Sequence, residues 1–72
     1  MPTKFGTATV SEHGDNFLIE APWCEEFIPA IKKLPKGSRW WDPILKGWLV
    51  RDEVYTKALV IVSRFFNIEY ED

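Results

Sequence analysis

The chain has one cysteine, Cys24, and one histidine, His13, among its 72 residues. A single thiol cannot close an internal disulfide, and one imidazole with one distant thiol does not supply the three or four ligands of a zinc site. No metal and no cofactor are therefore expected. The longest apolar run, "ALVIV" at 58–62, is five residues, against the roughly 18 that a membrane span requires, so no membrane partner is expected either. "MPTKFGTATV" lacks the charged-then-apolar pattern of a secretory leader, which with the unpaired thiol points to a reducing, cytoplasmic setting. No G-x-x-x-x-G-K loop is present to cradle a nucleotide. The acid pairs Glu25-Glu26 and Asp52-Glu53 fall where helices are expected to begin, where the helix dipole accounts for them. With no nucleophile and base in evident partnership, the chain is expected not to be an enzyme.

What is abundant is aromatic surface and positive charge, both in one place. Tryptophan occurs four times and aromatics make up 15% of the chain, enough large rings to give a domain of this size a core. Three of the four tryptophans lie in "RWWDPILKGW", Arg39 to Trp48. The net charge is −2, an argument against a general nucleic-acid binder, but residues 32–51 alone carry +5, while residues 1–31 carry −4 and residues 52–72 carry −3. The cations Lys32, Lys33, Lys36, Arg39, Lys46 and Arg51 thus form one band around the tryptophan cluster, a local electrostatic footprint on an acidic protein.

Periodicity predicts one small α+β domain over residues 1–72. Thr7–Val10 and Phe17–Ala21 alternate as strands around a turn at Gly14-Asp15. Trp23, Phe27, Ile31 and Leu34 then recur at helical spacing, with a start near Glu25 that leaves Pro29 in the first turn, where few backbone donors are committed. Pro35 and Gly37 end that helix. Ser38–Trp41 and Gly47–Arg51 predict a second hairpin, whose turn is built by Asp42, Pro43 and a left-handed Gly47. Asp52 is a good N-cap for a second helix whose apolar stripe is Val54, Ala58, Ile61, Val62 and Phe65. Asn67–Tyr70 completes an order β-β-α-β-β-α-β, antiparallel hairpins with both helices on one sheet face.

Phe27-Ile28, Ile31-Lys32, Leu34-Pro35, Trp41-Asp42-Pro43, Lys46, Trp48 and Val50, followed by Tyr55 and Leu59, resemble the HARP domain of annealing helicases. The similarity spans roughly Phe17 to Phe66, and its distinctive part is the aromatic-Asp-Pro turn leading to Lys-x-Trp. The resemblance implies a compact module that binds branched or forked DNA, which in that family is normally attached to an ATP-driven motor.

If Trp41 and Trp48 face each other across the loop, pairing runs outward as Trp40 with Leu49 and Arg39 with Val50. Trp41, Trp48 and Val50 then face the core, and Trp40 and Leu49 face the opposite, open side. An exposed Trp40 among cations has the physics of a base-stacking platform. The expected site is therefore Lys32, Lys33, Lys36, Arg39, Trp40, Lys46 and Arg51, binding single-stranded or branched DNA, with a nucleoid association if so. The rival expectation is a protein-interaction module, an adaptor or inhibitor or a homodimer, that docks through a Trp40–Leu49 patch. The acidic segments "SEHGD" and "EYED" favour the rival if they lie beside the basic band.

Overall fold

The computed structural model describes residues 4–71. β1 (Thr7–His13) and β2 (Asn16–Glu20) are antiparallel, from Thr9 opposite Glu20 to His13 opposite Asn16. The two residues left for the turn put Gly14 at φ +64°, a left-handed conformation that glycine supplies without a Cβ clash. β3 (Arg39–Asp42) and β4 (Gly47–Arg51) form the second hairpin, and β4 pairs antiparallel with β2. β5 (Asn67–Tyr70) pairs parallel with β1. The sheet order is β3-β4-β2-β1-β5, so the element order and the α+β class are those that the periodicities predict.

Two crossovers explain why one face carries both helices. α1 (Phe27–Ile31) takes the chain from β2 to β3, and α2 (Tyr55–Phe65) takes it from β4 to β5. The pairings make the strands of each of these two units parallel. β2 and β4 run in opposite directions and their crossovers move in opposite senses along the sheet. A half-turn about the sheet normal relates the two, so the right-handed rule for such units puts both helices on the same side.

Beneath the helices lie Ala8, Val10, Ile19, Trp48 and Val50 from the sheet, which pack with Phe27, Ile31, Leu34, Val54, Ala58, Val62 and Phe66. Phe27 meets Phe66 edge to face at 5.2 Å, an arrangement aromatic quadrupoles favour. The stripe of α2 runs Val54, Ala58, Val62, Phe66 at four-residue steps, with Ile61 and Phe65 at its margin.

Helix starts differ from expectation. α1 begins at Phe27, not Glu25, and Glu25 and Glu26 belong to the turn before it. Pro29 is then the third helical residue, whose missing N–H would have had no intrahelical acceptor. Lys32 and Lys33 fall just beyond the last helical residue. Asp52 does not cap α2; it opens a 3₁₀ turn, Asp52–Val54, and the residue at the N-cap of α2 is Val54. That turn buries Val54 directly after β4, so apolar burial sets the entry where polar capping was expected to.

Candidate nucleic-acid interface

The β3–β4 turn positions everything around it. Asp42 Oδ1 accepts from the N–H groups of Ile44 at 2.9 Å and Leu45 at 3.0 Å, as an aspartate that closes a turn does. Its carboxylate is thereby committed. The left-handed residue is Lys46, at φ +55°, and not Gly47. Gly47 is needed for a different reason: a Cβ there would lie 2.7 Å from Leu18 Cδ1 and 2.9 Å from the Ile19 carbonyl oxygen. The backbone of β4 passes too close to β2 for a side chain.

The register across this hairpin is the expected one, with Trp41 opposite Trp48, Trp40 opposite Leu49 and Arg39 opposite Val50. Exposure does not follow it. Trp48 is buried, but Trp41, although on the same face and meeting it edge to face at 5.8 Å, is 49% exposed. β3 is the outermost strand and α1 has only five residues, so parity alone does not bury Trp41. Trp40 is 38% exposed on the open face. Leu49 beside it is only 5% exposed, packed into a row with Trp40 and Leu18. The expected Trp40–Leu49 patch is thus Trp40 alone at the surface.

The most exposed tryptophan is Trp23, at 81%. Helical spacing had assigned it to the core stripe of α1, but it lies four residues before that helix begins. It forms one wall of an apolar groove of about 430 Å³ whose other sides are Pro22, Phe27, Ile28, Trp41 and Trp48, with Lys32 at the margin. Trp23 and Trp41 are 18 positions apart in sequence, and nothing in the local pattern brings them together. The only local signal is Pro22, which biases Ala21 toward extended backbone and so separates Trp23 from the helix that follows.

The cations divide into two kinds. Arg39 and Arg51 clip the loop between α1 and β3 to the sheet: an Arg39 Nη donates to the Lys32 carbonyl at 3.1 Å, and Arg51 Nε donates to the Gly37 carbonyl at 2.8 Å. Ser38 anchors the same loop, its N–H and hydroxyl both donating to the Pro35 carbonyl. Arg39 Nε is buried without a partner among the described residues. Lys32, Lys33 and Lys36 are exposed around this loop, and Lys46 is exposed at the far end of the hairpin.

Strand parity places Arg39 on the helix side with Trp41, and Arg51 on the open side, diagonal to Trp40. Each face of the β3 edge therefore carries one arginine and one partly exposed tryptophan. The surroundings of the two differ. On the open face Trp40 shares its row with leucines and stands next to Asp42, with Glu20 on β2. On the helix face Trp41 looks into the groove beside Lys32. The C-terminal acids Glu69 and Glu71 lie on or just after β5, at the opposite margin of the sheet. Four strand intervals separate β5 from β3, about 19 Å, roughly two screening lengths at physiological salt.

In comparison with known proteins, no family model matches this chain, and neither a curated protein nor a solved structure matches it.

Proposed function

We propose that this chain is a non-enzymatic module that binds DNA containing unpaired bases, at a fork or a single-stranded junction, along its β3 edge. The observation that supports this most is the segregation of charge across the sheet: the cations gather at the β3 margin, and the C-terminal acids lie at the other. Of the two acidic segments that would favour a protein partner, "EYED" lies away from the basic band, whereas "SEHGD" ends next to Asn16, which pairs with Arg51. The resemblance to the HARP domain points the same way on the residues quoted for it.

The stacking role moves within the cluster. Trp23 and Trp41 are more exposed than Trp40, they line one groove, and Lys32 stands at its margin. A base lying in that groove stacks on an indole while Lys32, Lys33 and Lys36 neutralise the adjoining phosphates. Arg39 and Arg51, occupied with loop carbonyls, offer their remaining N–H groups. Trp40 with Arg51 supplies a secondary contact on the open face.

The test is a tryptophan-fluorescence titration with single-stranded, forked and fully duplex DNA. Trp41→Ala and Trp23→Ala are each expected to weaken binding of the single-stranded and forked ligands roughly 5- to 150-fold, the equivalent of one lost stacked base. Trp40→Ala is expected to weaken it less. Absence of quenching by any DNA at low salt would overturn the proposal.

One observation favours a second reading. Ser38 carbonyl accepts from Arg51 N–H; alternation along an antiparallel pair then turns the N–H and C=O groups of Arg39 and Trp41 outward from the sheet. An extended peptide could pair with that edge and set an apolar side chain into the groove. Quenching by apolar peptides but by no DNA would select it.

A further inference from the structure

A second recess lies at the other side of the molecule, away from the β3 edge, and its composition is different. It encloses about 180 Å³ and is lined by Val10, Glu12, Phe17, Tyr55, Tyr70 and Glu71, with Ser11 at its rim. The fold brings these together from three separate segments. Glu12 and Phe17 face each other directly across β1 and β2, and Tyr70 on β5 stands opposite Val10 on β1. Strand parity sends Val10, Glu12, Phe17 and Tyr70 to the helix side. Tyr55, the first residue of α2, stacks on Phe17 with ring centroids 3.7 Å apart and planes 18° from parallel. Glu71 is held at the rim because its N–H donates to the Val10 carbonyl at 2.8 Å.

Aromatic faces with carboxylates at the opening are the elements that recognise an organic cation. The ring quadrupole attracts positive charge over its face, and acids raise the local potential further. Tyr70, 64% exposed, has a ring free to cover an entering group, while Val10 gives the floor an apolar surface for its methylenes or methyls. The surroundings already act on Tyr55, whose phenol is pushed above its ordinary titration range by burial, and further by Tyr70 and Glu12. An anion at that position is disfavoured, and a cation is the complementary guest.

We infer that the recess formed by Phe17, Tyr55, Tyr70, Glu12 and Glu71 is a binding site for an organic cation, an alkylammonium or guanidinium group of the kind borne by a lysine or arginine side chain of a partner protein. The site does not depend on the DNA-binding reading, since it shares no residue with the β3 edge. Together the two would let one small domain hold an acidic polymer at one margin and a basic side chain at the other.

The experiment is two-dimensional NMR of the intact chain titrated at constant ionic strength with blocked lysine amide, blocked arginine amide, tetramethylammonium and sodium chloride. Saturable shifts centred on Glu12, Phe17, Tyr55 and Tyr70 with an organic cation, and none with sodium, are expected. Stronger binding of the blocked amino acids identifies a protein side chain as the source, whereas stronger binding of tetramethylammonium identifies a free quaternary amine. Tyr70→Leu keeps the apolar bulk and removes the π face, and should weaken binding about 2- to 30-fold; Glu71→Gln should act in the same direction. Glu69→Gln, on the open face, should leave it unchanged. Equal response to sodium, shifts spread over all acids, or indifference to Tyr70→Leu in a folded variant would each overturn the inference.

Discussion

Gly47 shows how a residue can be noticed for one reason and required for another. Its place at the end of "DPILKG" suggests a left-handed turn position, but Lys46 adopts that conformation, and Gly47 is confined by the approach of β4 to Leu18 and Ile19. Gly47→Ala is expected to lower stability by about 1–3 kcal/mol, as overpacking does, read as a fall in the urea midpoint. Lys46→Gly should fold at least as well, because glycine accepts positive φ without steric cost; it thus removes a charge from the hairpin without harming its turn. The tryptophans teach a related lesson. Alternation along the strands and the loop length gave the correct cross-strand partners. Exposure was not legible, since it depends on which strand ends up outermost and on how far a short helix reaches. Tyr55 carries a prediction in pH. Its phenol titrates higher in the folded chain than in the unfolded one, so folding favours the neutral form. That stabilisation is complete below the unfolded value near 10 and is lost as pH rises through the folded value. Thermal melts should therefore lose stability above about pH 10, and Tyr55→Phe should remove part of the loss.

At the scale of elements, α1 is the least self-sufficient piece. Five residues are far fewer than an isolated helix needs, and Phe27 and Ile31, both fully enclosed, hold it to the core. Phe66, at the end of α2, packs against Phe27. Phe66→Ala is expected to cost about 3–5 kcal/mol, a large share of the stability of so small a domain, and calorimetry should show either a much lower transition or none. The loop after α1 depends on its arginine clips. Arg51→Met should cost about 1 kcal/mol, the worth of one partly solvated hydrogen bond, with faster amide exchange at Ser38. Element types and their order were legible because apolar spacing changes from two to about four and back. Helix starts were not, because burial of Phe27 and Val54 decided them against the acidic residues that ordinarily mark an N-terminus.

For the whole molecule, the decisive arrangement is the strand order, which no local pattern encodes. A sum of −2 conceals two margins of opposite sign, and only the sheet tells which segments are neighbours. Three or four phosphate contacts at the β3 margin predict a salt dependence of single-stranded DNA binding of about 20- to 50-fold between 50 and 200 mM salt, using a slope of about −0.7 per contact. Lys33→Gln should lower that slope by about the share of one contact. The groove between Trp23 and Trp41 belongs to this scale as well, since its walls meet only after α1 has crossed from β2 to β3.

The parallel pair β1·β5 joins residues sixty positions apart, Thr7 with Asn67. Closing so long a loop is slow relative to forming either hairpin, so both hairpins can exist before the chain is complete as a fold. The aromatic and acidic recess draws on both sides of that closure, with Glu12 and Phe17 from the first hairpin and Tyr70 from β5. It is therefore a structure that a half-folded chain does not possess. A guest bound there would select the closed form by mass action, and its presence would be recorded as a higher denaturant midpoint for the whole fold.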